Sequence, residues 1–219
     1  PVCEAKDIPS LVTKEGVFFD NHVEFVKHFL KGQIAMEDVR RELMAQAAKM
    51  KRTGLPLTHV DSHQHMHMLP GVIDISLDVA ASLNLDAVRI SRTPLFTAFA
   101  GMGQFIGRLG LFTLSELSLW KAKRRHFRVP DHFEGIVAGE AVHEGHFLHI
   151  LKDLRPGTTE VMMHPGTDNE KLIPACDWEH DFEAEMQAIV SPKVRRMIAD
   201  KAVKVVNYRD LKEAVTGDW

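Results

Sequence analysis

Histidine is the residue type whose number and spacing point most directly to chemistry in this chain, which has 13 histidines among 219 residues. Four of them share a nine-residue segment with Asp61: His59, His63, His65 and His67. Imidazole nitrogens bind metal ions and exchange protons near neutral pH, and a nearby carboxylate orients the ring. A single histidine here would suggest a surface loop, whereas this density predicts a metal or catalytic site.

The histidine-rich segment follows a short strand-like run at residues 57–61, so its polar side chains stand where a strand gives way to a loop. Parallel α/β proteins place their chemistry at the carboxyl ends of their strands. In an extended backbone alternate residues share one face. We therefore expect the alternating polar residues to project the same way: Asp61, His63, His65 and His67.

A second candidate is His164, which follows the strand-like run 159–163 directly and precedes Pro165 and Gly166. A histidine at such a strand end is suited to general acid or base catalysis, because its unperturbed pKa lies near neutrality. A packed, hydrogen-bonded histidine is an equally good interpretation of this motif alone. The histidine-rich segment, at the equivalent place after another strand, favours the functional interpretation.

Two weaker signals stay open. His143, His146 and His149 have the spacing of one helix face, which is more typical of a solvated or packed surface than of a ligand set. Arg89 ends the strand-like run 86–90 and suits either an anion or sugar hydroxyl, or an ion pair at the rim of the sheet.

The elements that must position these residues alternate between strands and helices, which predicts a parallel α/β architecture. Five strands are predicted, at residues 57–61, 86–90, 135–138, 159–163 and 203–207. The segment 93–128 is predicted to hold one or two helices. The other predicted helices are 23–30, 36–50, 72–83, 144–154, 181–189, 192–202 and 210–215.

Composition narrows the class of protein. With 45% apolar and 26% charged residues, the chain has the proportions of a globular protein rather than a disordered one. Its 27 basic and 30 acidic side chains give a net charge of −3, which argues against a general nucleic-acid binder. Two cysteines make no disulfide framework, so a reducing, cytoplasmic location is expected. Charged residues and glycines interrupt the longest apolar stretch, so no membrane span is predicted.

These motifs resemble those of the YdjC-like carbohydrate deacetylase family, which includes the chitooligosaccharide deacetylases. The resemblance rests on residues 58–67, 87–90 and 160–166 and extends over nearly the whole chain. It implies a distorted (β/α) barrel of the TIM-like type, formed as a single domain over residues 1–219. It also implies metal-dependent removal of N-acetyl groups from amino sugars or chitooligosaccharides.

The resemblance also implies roles for individual residues. His63 matches the family's metal ligand, and the ion would be divalent, with Mg or Zn as candidates and its identity unknown. Asp61 matches a carboxylate that supports that ligand and is assigned to the catalytic residues, and His164 matches a catalytic or substrate-binding histidine. Three further residues are expected at the substrate pocket. Arg89 is expected to contact substrate, and His65 and His67 are expected either to line the pocket and bind substrate or to support the residues that do.

One departure from the family pattern is large. The other metal ligands of the family, an Asp from an Asp-Asp motif and a His from a Gly-x-His motif, have no counterpart here and belong upstream. We therefore expect the N-terminal part of the family domain to be absent, by truncation or by degeneration. An open barrel side next to residues 57–61 and few or no well-coordinated ions are the expected consequences.

Three functions remain open from the sequence. The first is an enzyme that deacetylates an N-acetylated sugar or oligosaccharide, without nucleic-acid or membrane partners and with a homodimer left open. The second is a deacetylase of another acetamido glycoconjugate, such as a hopanoid-linked sugar. The third is a catalytically inactive sugar-binding or assembly protein.

Overall fold

The computed structural model describes residues 1–92, 102–136, 141–176 and 178–211, with residues 102–108 described by their backbone alone. The chain divides into two compact units. The first unit contains Pro1–Ile90 and Leu109–Val129, and the second contains Ser91–Arg108 and Pro130–Trp219. Each unit has its own helices and its own parallel strand pairing.

Eight α-helices lie within the described residues. They are α1 His22–Leu30, α2 Met36–Arg52, α3 Val72–Ser82, α4 Met102–Arg124, α5 Glu144–Lys152, α6 Asn169–Cys176, α7 Phe182–Val190 and α8 Pro192–Asp200. Seven correspond to predicted helices with ends that differ by a few residues, whereas α6 was not predicted. The predicted helix 210–215 lies mostly outside the described residues. None of the helices described is long and apolar enough to cross a membrane.

The first unit is built around the packing of α2 against α3. Val39 and Ala47 of α2 and Val72 of α3 belong to one buried apolar cluster. A second cluster joins Ile73 and Leu77 of α3 to other buried apolar residues, among them Val88, Ile90, Ala122 and Phe127. Burial of these side chains fixes the segment around residues 87–90 against α3, and so positions Arg89.

Three segments of the first unit run side by side in parallel. The Val60 N–H donates to the Ala87 carbonyl at 3.2 Å, and the Arg89 N–H donates to the Val60 carbonyl at 3.0 Å. On the other side, the Val88 N–H donates to the Arg128 carbonyl at 3.1 Å. The pairing is parallel, as predicted, but it consists of isolated bridges, so the five-residue strands predicted at 57–61 and 86–90 are too long.

The second unit contains two short parallel strands, β1 His132–Glu134 and β2 Thr159–Val161, paired from His132 with Thr159 to Glu134 with Val161. The first was predicted at 135–138, three residues too late. Gly135 instead ends β1 with a φ of +102°, and a Cβ there would lie 2.2 Å from the Met162 carbonyl oxygen. Within the described part of the chain, the predicted strand 203–207 is not formed.

Helices α5, α7 and α8 pack against one another in the second unit. The α7–α8 junction is held by Ser191, whose hydroxyl accepts the Lys193 N–H at 3.1 Å and donates to the Glu144 carboxylate at 2.6 Å. The molecule is thus a mixed α/β protein with a small parallel sheet. Closure into a barrel, with the expected open side, stays a prediction.

Candidate functional site

The loop after Val60 departs from an extended course at its third residue, His63. Ser62 is still extended, with φ −147° and ψ 156°, but a 3₁₀ helix follows at His63–Met68. Gln64 and His65 within it are left-handed, with φ of 50° and 58°. The prediction that alternate residues share one face is therefore wrong beyond Ser62, because the pattern of period two requires an extended backbone.

His67 is buried, with an exposed fraction of 2%, and both of its ring nitrogens are hydrogen-bonded. Nε2 lies 2.7 Å from the Arg89 carbonyl oxygen, which only accepts, so Nε2 carries the ring proton. The Ser62 hydroxyl consequently donates to Nδ1 over 2.6 Å, and it accepts the His67 backbone N–H at 2.9 Å. Burial of the ring lowers the pKa of His67. The geometry favours support of the loop, one of the two expected roles, over direct contact with substrate.

Asp61 and Arg89, which the sequence assigned separately, form an ion pair. The other Asp61 oxygen accepts the Ser62 N–H at 2.7 Å. Both side chains keep some exposure, 30% for Asp61 and 20% for Arg89. A partly exposed carboxylate beside a guanidinium offers a substrate both a hydrogen-bond acceptor and a fork of donors.

His164 is the third residue after β2, and a carboxylate fixes its backbone. The His164 N–H donates to Oε2 of Glu185, a residue of α7, while the Val142 N–H donates to Oε1 of the same carboxylate at 2.9 Å. Glu185 has an exposed fraction of only 1%. The two backbone donors stabilise the buried charge, and they tie the segment after β2 to α7.

Gly166 allows the segment after β2 and the start of α7 to approach closely. Its N–H donates to the Phe182 carbonyl at 2.9 Å. A Cβ at this position would lie 2.3 Å from the Leu172 Cδ1 and 2.9 Å from the Phe182 Cβ. The Pro-Gly turn noted in the sequence therefore lets the backbone after His164 lie against α7.

Aromatic rings surround the His164 imidazole. The Trp178 ring meets it edge to face at 5.0 Å between centroids, and the His180 ring does so at 5.4 Å. Trp178 and His180 stack on each other at 4.1 Å. His180 is buried, and within the described part of the chain neither of its ring nitrogens has a hydrogen-bond partner.

His164, His180 and Glu185 together present one ligand atom each, and these atoms all lie within 4.8 Å of one another. The His180 Nε2 is 3.2 Å from the Glu185 Oε1. Sequence reasoning selected His164 but missed the other two. Glu185 does carry a signal, because it stands three residues after Phe182 on the apolar side of α7, where a charged residue needs a buried partner.

The comparison with known families decides what kind of protein this is. The family described as YdjC-like protein matches residues 1–200, a range that contains both histidine motifs. The chain belongs to the YdjC-like family. The resemblance stated from the motifs is thereby confirmed.

Relatives of this YdjC-like chain carry the name carbohydrate deacetylase. One from Mus musculus is 28% identical over 234 residues, which cover 95% of this chain and 73% of the mouse protein. One from Brevibacillus brevis is 23% identical over 209 residues, covering 94% of this chain and 72% of the relative. One from Thermoanaerobacter pseudethanolicus is 27% identical over 177 residues, covering 81% of this chain and 61% of the relative.

The metal ion that YdjC-like membership implies can be tested against the residues near His63. His63 is exposed and lies at the start of the 3₁₀ helix. The grouping of three metal-ligating side chains found among the described residues does not include it. Asp61 is engaged by Arg89 and Ser62, and His67 uses both ring nitrogens. The described residues of this loop therefore do not form a ligand set around His63.

Proposed function

We propose that this YdjC-like protein is a carbohydrate deacetylase that hydrolyses the N-acetyl amide of amino sugars or chitooligosaccharides. The observation that carries the proposal is the family match over residues 1–200, which includes the His63 loop and the His164 motif. Relatives that align with 94% or more of this chain are named carbohydrate deacetylase, which makes it an enzyme of that type.

His164 is proposed to deliver the proton that the sugar amine needs as it leaves the acetyl carbon. Three features support this role: the position after β2, the backbone hydrogen bond to Glu185, and the edge-to-face contact with Trp178. A general acid must be held within reach of the leaving group, and its pKa should lie near the working pH. A histidine with a fixed backbone and packed neighbours meets the positional requirement.

Asp61 and Arg89, which form an ion pair, are proposed as a catalytic and a substrate-binding residue. Arg89 would bind sugar hydroxyls, and Asp61 would orient the Arg89 fork or accept a proton. His65 is proposed to contact substrate, while His67 supports the loop and acts on substrate only through it. His63 is proposed as a ligand of a divalent ion, Mg or Zn. No catalytic step is assigned to that ion, because the residues near His63 do not complete its ligand set.

The architecture proposed for the whole domain is a distorted (β/α) barrel over residues 1–219. Parallel pairing within each unit supports it, since a TIM-like barrel uses parallel strands throughout. A cytoplasmic location, an N-acetylated sugar as partner and a homodimer belong to the same proposal. The unpaired cysteines Cys3 and Cys176 support the reducing compartment.

Acetate release tests this function. The chain is incubated with N-acetylglucosamine oligomers, with a hopanoid-linked acetamido sugar, and with either substrate after treatment with a chelator. Release from the oligomers that falls on chelation supports a metal-dependent deacetylase of this substrate class. Release from the hopanoid-linked sugar alone supports the second function. Sugar binding without any acetate release contradicts the enzyme and supports the inactive binding protein.

A further inference from the structure

We propose that His164, His180 and Glu185 form a binding site for a divalent transition-metal cation of the Zn²⁺ type. The site contains none of the residues that the family resemblance relates to a metal ion. It lies in the second unit, between the segment after β2 and the first turn of α7. Cation binding itself does not depend on the proposed function.

The donor set and its spacing match this class of cation. Two imidazoles and one carboxylate are typical ligands of Zn²⁺, with metal–ligand distances of about 2.0–2.2 Å. Two ligand atoms on a tetrahedral centre of that size are about 3.4 Å apart. The His180 Nε2 and Glu185 Oε1 are already 3.2 Å apart, and all three ligand atoms fall within 4.8 Å.

His180 gives the independent observation that a ligand belongs here. The residue has an exposed fraction of 5%, and neither ring nitrogen has a hydrogen-bond partner among the residues that the structure describes. Buried polar atoms are nearly always satisfied, because an unsatisfied one costs about 1–3 kcal/mol. Trp178 and Phe182 contribute rings but no acceptor, and the Glu185 oxygen 3.2 Å from Nε2 is not aligned for a hydrogen bond. A cation beside Glu185 provides the missing partner.

Glu185 provides the negative charge in a fixed place. Its carboxylate is held by the backbone N–H groups of Val142 and His164, and both oxygens retain further lone pairs. Among the described residues its ion-pair partner is His180, which is charged only when protonated. A buried carboxylate that faces an imidazole at 3.2 Å favours a cation, which can bind a lone pair of each.

The site also constrains His164, and this consequence does rest on the proposed function. A ring nitrogen that binds a metal ion cannot carry a proton. Occupancy by Zn²⁺ therefore competes with proton delivery by His164, so the cation inhibits acetate release. Three protein ligands leave one coordination position for water.

Trp178 allows occupancy to be read at this site alone. The full chain carries Trp120→Phe and Trp219→Phe, which leaves Trp178 as the remaining tryptophan, 4.1 Å from His180. Co²⁺ is added as a paramagnetic substitute for Zn²⁺, and fluorescence is recorded. We expect saturable quenching that Zn²⁺ reverses by competition. His180→Phe keeps a stacked ring but removes both nitrogens, and it should weaken Co²⁺ binding by at least about tenfold.

Two further variants make the result decisive. His164→Gln should also weaken quenching. Because His164 is less buried than His180, this variant serves if His180→Phe does not fold. His149→Ala, at an exposed histidine of α5, should leave the binding curve unchanged. Absence of saturable quenching, or identical curves for the parent, His180→Phe and His164→Gln, overturns the site.

Acetate release measured on the same proteins separates this inference from the proposed function. Quenching that depends on His180, in a chain that releases no acetate, keeps the site and contradicts the function. Acetate release that Zn²⁺ does not reduce, at concentrations that saturate quenching, contradicts the inhibitory consequence.

Discussion

At the residue scale, the roles of the histidines are distinguished by what their ring nitrogens contact rather than by their spacing along the chain. His67 uses both nitrogens within its own unit, against Ser62 and the Arg89 carbonyl. His180 is also buried, yet neither of its nitrogens is hydrogen-bonded to any described residue. Both rings are buried, but only the nitrogens of His67 have hydrogen-bond partners among the described residues. This difference indicates different roles, because a hydrogen-bonded ring stabilises the fold and one without such partners is open to a ligand.

Ser62→Ala tests the supporting role of the Ser62–His67 contact. The hydroxyl donates to the ring and accepts the backbone N–H of His67, so its loss leaves buried groups unpaired. We expect the free energy of unfolding to fall by about 1–3 kcal/mol in urea denaturation. Ser82→Ala is the matched control, because its hydroxyl makes one bond to the Val79 carbonyl at an exposed helix end. Equal effects for the two variants would contradict the supporting role.

The pH dependence of stability tests the buried state of His67. Burial lowers the pKa of the folded ring below its ordinary value of 6.5, so below pH 6.5 the unfolded chain binds a proton that the folded chain does not. Stability must then fall as pH decreases from about 6.5 toward the folded pKa, by up to about 1.4 kcal/mol per pH unit. His67→Gln should show a smaller loss between pH 7.5 and 5.5. A loss as steep as that of the wild type would exclude His67 as its source.

At the element scale, periodicity and end signals predicted most helices, whereas strands depended on partners that a sequence does not reveal. Helix α2 is bounded by acidic and basic turns and has an apolar stripe, so it was predicted to within two residues. Helix α6 was missed because Pro174 interrupts its pattern. Strand β1 was misplaced because its position depends on pairing with β2 and on Gly135, which ends it.

Gly135→Ala tests how β1 and β2 are held together. An added methyl group would clash with the backbone of Met162, and alanine adopts a φ of +102° only with strain. The ends of β1 and β2 therefore cannot relieve the clash independently of each other. We expect a loss of at least about 2 kcal/mol in the free energy of unfolding. Gly32→Ala provides the comparison, since its φ of +68° is also positive but no atom lies within 4 Å of the added Cβ. Equal losses would show that conformation, rather than the contact with Met162, sets the cost.

At the scale of the whole molecule, the sequence predicted those candidate site residues that follow the end of a single strand. The positions of His63 and His164 after short parallel segments followed from the sequence, as did family membership. His180 and Glu185 could not be joined to His164, because they lie 16 and 21 residues further along the chain and no single helix face brings the three together. Their proximity results from the Gly166–Phe182 contact, which is a tertiary feature.

The turnover number for acetate release from N-acetylglucosamine oligomers, compared between the wild type and His164→Gln, tests the central claim most directly. If His164 delivers the proton to the leaving amine, the variant should lose roughly 10²–10⁴-fold in turnover. Its melting temperature should stay close to that of the wild type, because the backbone N–H of residue 164, which Glu185 accepts, is kept in the variant. A variant that melts far earlier but turns over normally while folded would contradict the account and make His164 a structural residue.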